Sequence, residues 1–154
     1  MAFGATLLAL FVIFLSMLLP VQAGVNASVA QHLGHPLLAA LANMTIGAIA
    51  VATLCLVLRV PLPITGAAAL APWWAWLGGI IGATFVFTSL FVAPKLGAAA
   101  YVSISVAGTM LASLVIDHYG LIGFKSAAIT PARALGAVLV IGGMLMLQWK
   151  PAAS

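Results

Sequence analysis

Charge is what this chain has least of: among 154 residues five are Lys or Arg and one is acidic. The acid is Asp117, so glutamate is absent. Charged residues make up 4% of the chain, where a soluble domain carries about 25%, and a water-soluble fold would have nothing with which to cover its surface. From Met1 to Leu58 no Lys, Arg, Asp or Glu occurs, and a bilayer is the simplest solvent for so long a run. The same scarcity removes chemistries. There is no His-Glu-x-x-His pattern, and an intramembrane aspartyl mechanism needs a second carboxylate, so an enzyme is not expected and neither is a cofactor. Cys55 stands alone, which leaves no intrachain disulfide. The pI of about 9.9 comes from Arg59, Lys95, Lys125, Arg133 and Lys150, scattered singly. Nucleic-acid binding needs a clustered basic face, and none exists.

What is abundant is apolar sequence, at 66% of residues. Pro, Gly and the few charges divide it into five segments, near residues 5–25, 37–58, 73–93, 97–116 and 132–149. Each approaches the ~20 residues that cross ~30 Å of hydrocarbon as a helix. The segments are apolar on all sides, whereas strands of a membrane barrel alternate. Linkers 30–36, 59–72, 93–96 and 117–131 are too short to fold alone, so residues 1–154 read as a single five-helix transmembrane domain. Thr6 to Pro20, followed by Val21-Gln22-Ala23, loosely resembles a secretory signal but lacks a basic n-region, and is read as a membrane helix. Trp73, Trp74 and Trp76 open the third segment and Trp149 closes the fifth, where an interfacial aromatic belt belongs. The other reading is that they line a vestibule. Small residues four apart, Asn43/Gly47, Gly78/Gly82, Ser103/Ala107 and Ala132/Gly136, predict close helix packing.

An odd number of spans puts the termini on opposite faces. Arg59, Lys125 and Arg133 then fall on the N-terminal face, and Lys95 and Lys150 on the other. A margin of one cation is a weak positive-inside signal. A chain so balanced can insert both ways up and pair as an antiparallel homodimer, building between two copies the inverted repeat that many transporters encode in one chain. The alternative is one orientation, decided by that single charge.

Candidate site residues are polar and uncharged, because every charge sits at or beyond a helix end. Pro20 should free the carbonyl of Ser16 and bend the first helix. Gln22 and Asn26 follow it, four apart on one face. Buried amides need partners, either a substrate or a helix such as the one bearing Asn43 and Thr45. Ser105 and Thr109, with Thr84 and Thr88 from the third segment, are candidates for a cavity lining; alternatively each hydroxyl bonds its own backbone one turn back. The expected substrate-binding set is Gln22, Asn26, Asn43, Thr88, Ser105 and Thr109, with Pro20, Trp76, Lys95, Asp117 and His118 in structural or gating roles. Asp117 is expected to pair with Lys125, Arg133 or Arg59 and not to carry protons. His32 and His35 make half a zinc site, with His118 on the opposite face, so no metal is assigned.

The runs PVQAGVNASVAQHLGHP, APWWAWLGGIIGATFV, APKLGAAA, SLVIDHYGLIG and PARALGAVLVIGG, in this order, resemble the YdcZ-like branch of the drug/metabolite transporter superfamily over nearly the whole chain. The Asp-His-aromatic-Gly element is the most specific part. The resemblance implies an all-α integral membrane protein of the bacterial inner membrane. It implies five-helix units working as antiparallel pairs, as a ten-helix homodimer or with a paralogous partner, to move a small solute. It places Gln22, Asn26, Trp76, Pro94, Lys95, Gly97, Asp117 and His118 on signature positions. Related small multidrug exporters use a glutamate in mid-first-helix. With no glutamate here, a neutral, zwitterionic or weakly charged metabolite fits the lining better than an organic cation exchanged for protons. The rival expectation is a non-transporting membrane scaffold, with a dry interior in which the amides and hydroxyls satisfy one another.

Overall fold

The computed structural model describes residues 2–61, 66 and 70–149, and all regular structure among them is helical. Six α-helices occur: α1 (Ala2–Ser16), α2 (Leu18–Leu33), α3 (Pro36–Val57), α4 (Leu77–Leu96), α5 (Ala98–Tyr119) and α6 (Pro131–Gln148). A 3-10 turn, Trp73–Trp76, leads into α4, and another, Leu121–Gly123, follows α5. With α1 and α2 counted as one run, Gly4–Leu33, five helices are long and apolar enough to cross a membrane.

The ends of these helices follow from their residues. Pro20 has no N–H for the Ser16 carbonyl, and the ladder is interrupted one turn ahead of it, at Met17. The first span then continues to Leu33, eight residues past its expected end at 25, because nothing stops it before Gly34, which caps α2 at φ +74°. Helix α3 starts on a His35 cap with Pro36 in the first turn, a position where the missing N–H costs nothing. It ends with Arg59 in the left-handed region, φ +51°, while Val60 N–H bonds the Cys55 carbonyl at 2.9 Å. The third span runs through Pro94, where a break was expected, because proline removes only its own hydrogen bond. The break falls instead at Gly97, φ +84°, the one residue between α4 and α5 and a conformation other residues seldom take. Asp117 and His118 lie inside the last turn of α5, three residues beyond the expected end at 116.

The chain forms two compact units, the first running to Lys95 and the second beginning at Leu96. In the first unit, α2 and α3 pack as a hairpin turning at Gly34 and His35. Ala39 and Ala40 are buried there with Leu90 of α4, and Val29, Ala30, Val86 and Phe87 pack on them. Small residues let the backbones approach, and the branched and aromatic side chains fill the remaining space. The glycines of the four-residue pairs do not carry the packing: a Cβ at Gly47, Gly78, Gly82 or Gly136 would meet nothing within 4 Å. Alanines do, Ala39, Ala40 and Ala93 in the first unit and Ala107 and Ala137 in the second. Elsewhere the spans present Leu, Ile, Val and Phe outward, as helices solvated by lipid do; in the first span's most apolar window no residue is buried.

Candidate functional site

Two places concentrate polar side chains. The first is the α2–α3 hairpin. Asn26 lies eight residues before Gly34 and Asn43 eight residues after His35, so the two carboxamides occupy the same level of antiparallel helices. Two polar residues are buried among those described, Ser89 and Asn26. Ser89 donates to the Val86 carbonyl at 2.6 Å. Asn26, 7% exposed, has no side-chain hydrogen bond in the structure. No fully enclosed side-chain N or O lacks a partner among the described residues, so the Asn26 amide keeps a narrow opening. Asn43 is half-buried, while Gln22, one turn before Asn26, is exposed.

The hydroxyls behave differently. Ser105 donates to the Tyr101 carbonyl at 2.9 Å, and Thr109 to the Ser105 carbonyl at 2.7 Å. Thr45 and Thr84 likewise bond Leu41 and Ile80 one turn back, and Thr88 is exposed. Ser105, Thr109, Thr45 and Thr84 thus take the local alternative, which satisfies the proton and leaves the oxygen's lone pairs for another donor.

The second place is the turn between α5 and α6. Arg133 donates from Nη2 to Asp117 Oδ2, forming an ion pair. Of the three expected partners it is the one Asp117 takes; Lys125 lies exposed in the loop. From Nη1, Arg133 also reaches the carbonyls of Ala127 at 3.0 Å and Ala128 at 3.4 Å. Thr130 caps α6 by accepting from the Arg133 N–H at 3.3 Å, fixing Arg133 in the first turn. The Asp117 carbonyl accepts from Ala127 N–H at 2.7 Å, and Ser126 donates to the His118 carbonyl at 3.1 Å. Gly120, φ +61°, permits this return, since a Cβ there would stand 3.3 Å from Ser126 Cβ and backbone N. The His118 ring meets Tyr119 edge to face at 4.8 Å. The Asp-His-Tyr-Gly element is thus a clasp that ties the end of α5 to the start of α6. Sequence reasoning narrowed Asp117's partners but missed Ser126, Thr130 and Arg133's grip on the loop. Thr130-Pro131, an N-cap followed by proline, is the signal that could have placed Arg133.

The other expected residues are structural or peripheral. His32 Nδ1 donates to the Ser28 carbonyl at 2.8 Å, and His35 Nδ1 accepts from Leu37 N–H at 3.1 Å, so each imidazole serves its own helix. Trp76 and Lys95 are exposed at opposite ends of the third span. Lys150 lies outside the described residues.

Five apolar spans with one clasped turn and no soluble domain among the described residues define a multi-pass membrane protein. The chain belongs to the family described as "Putative inner membrane exporter, YdcZ", which it matches over residues 7–146. It is accordingly an inner-membrane protein of a family described as exporters and not as enzymes. No curated protein and no solved structure matches it.

Proposed function

We propose that the protein moves a small solute across the inner membrane by alternating access, as an antiparallel pair of five-helix chains, either a homodimer or with a paralogous partner. The observation that carries this reading is Asn26, a buried amide left without a partner in a lipid-facing protein, where unsatisfied polar groups are costly. The family's description as an exporter supports it. The proposed solute contacts are Asn26, Asn43 and Gln22 in the first unit, with Thr88; Ser105 and Thr109 of the second unit offer free lone pairs.

Purified protein in liposomes, loaded with a metabolite mixture and followed by mass spectrometry, is expected to release at least one component. Asn26→Ala and Thr109→Ala are each expected to slow that release about tenfold or more, the equivalent of one lost hydrogen bond to substrate. Parent-like transport by both variants would show the site to be elsewhere. Impermeable liposomes, with Asn26 bonded across a chain–chain contact, would leave the scaffold reading in its place.

A further inference from the structure

We infer that the Asn26–Asn43 level takes an uncharged group presenting a hydrogen-bond donor beside an acceptor, that is a carboxamide, urea or lactam, and rejects carboxylates and quaternary ammonium ions. This rests on the proposed solute site and narrows what enters it.

Depth comes first. Eight residues from the hairpin turn at about 1.5 Å each place both amides about 12 Å along their helices, near the middle of ~30 Å of hydrocarbon. One turn nearer the hairpin, Ala30 packs on the buried Ala39, Ala40 and Leu90, which closes that side with apolar surface. Charge is the second consideration. On α2 the nearest titratable side chain is His32, six residues or about 9 Å away along the axis and turned to its own backbone. On α3 there is none between His35 and Cys55, a thiol beyond the midplane. On α4, Lys95 lies five residues past Leu90, toward the hairpin end and away from the amides. An ion at the Asn26 level would therefore give up its water and meet no counter-charge in this unit, a penalty far larger than two amides can offset. Complementarity is the third. A carboxamide offers two N–H donors and an acceptor oxygen, and two of them at one level match a partner bearing both kinds of group. A site built of such groups rejects analogues that leave them unpaired.

A matched set of probes tests this: nicotinamide, nicotinate and the 1-methylnicotinamide cation share a ring and size, and carry respectively no charge, a negative and a positive one. Binding to the full chain in detergent, measured by ligand-observed NMR and by thermal stabilisation, is expected for nicotinamide and at least about tenfold weaker for both ions. Asn26→Leu should abolish nicotinamide binding. Asn26→Asp, nearly the same shape, should reverse the order in favour of the cation, a gain that misfolding cannot imitate. Binding of either ion as strong as that of the amide overturns the inference, as does amide binding indifferent to Asn26→Leu, or no binding by nicotinamide, methylurea or 2-pyrrolidone at 50 mM. Selective amide binding without flux in liposomes would reject transport while leaving the ligand class intact. Flux of a charged solute, unaffected by Asn26→Leu, would do the reverse.

Discussion

Asp117 and Arg133 show how one ion pair can organise a turn. Each side chain is about a third exposed, so the Coulombic part is modest; the larger effect is that Arg133 also holds the Ala127 and Ala128 carbonyls. Asp117→Asn keeps the shape but removes the charge. It should lower the unfolding free energy in detergent by about 1–2 kcal/mol, the range for a partly exposed charge-assisted hydrogen bond. Transport by that variant should keep the parent's pH dependence. A stable Asn variant with a displaced pH profile would instead make Asp117 a proton carrier. The sequence showed that Asp117 needed a cation but could not choose among three. The choice depends on Thr130 and Pro131 starting α6 where they do, so that Arg133 reaches back sixteen residues. Asn26 was legible as a polar residue in an apolar span. That it alone among the described amides is buried depends on tertiary packing, which spacing does not reveal.

At the level of elements, the number and position of the spans were legible because Pro, Gly and the few charges mark where hydrocarbon ends. Their exact ends were harder to read. Gln31, His32 and Pro94 looked like linker residues, yet the helices continue through them, because a single polar or proline residue removes little from a long ladder. The true stops, Gly34, Gly97 and Gly120, are glycines at positive φ. The break at Met17 interrupts the first span. In Pro20→Ala the residue-20 N–H becomes available to the Ser16 carbonyl, and α1 and α2 should join. Hydrogen–deuterium exchange over residues 13–24 should slow markedly, and the helix should gain up to about 3 kcal/mol. Unchanged exchange there would mean that the interruption has another cause. If the break also serves the solute cycle, the variant will be more stable and slower.

For the whole molecule, the proposed pairing requires copies in both orientations. In the proposed topology Arg59, Lys125 and Arg133 lie on one face against Lys95 and Lys150 on the other, a margin of one cation. C-terminal reporters active only inside or only outside the cytoplasm should therefore both give signal. Lysines at Gln148, Ala152 and Ala153, around Trp149, make the count three against five and should drive most copies one way and reduce function. A second copy carrying Ile129→Lys, in the exposed turn, should restore it. Signal from a single reporter would sink the antiparallel arrangement and leave the solute site to be explained within one chain or a parallel pair.

The near-absence of a connection between α4 and α5 also has a consequence for proteolysis. Trypsin needs an extended stretch around Lys or Arg and does not cut before proline. Lys95 sits in a helical turn with only Gly97 between it and α5, and Lys150 is followed by Pro151. Arg133 is folded into α6, whereas Arg59 and Lys125 lie exposed outside the helices. In the proposed topology both cleavable bonds, Arg59–Val60 and Lys125–Ser126, belong to one face. Trypsin added to sealed vesicles would thus cut every copy presenting that face and spare every copy presenting the other. The ratio of fragments to intact chain then counts the two orientations in the unmodified protein, with no fusion to disturb so fine a balance of charge.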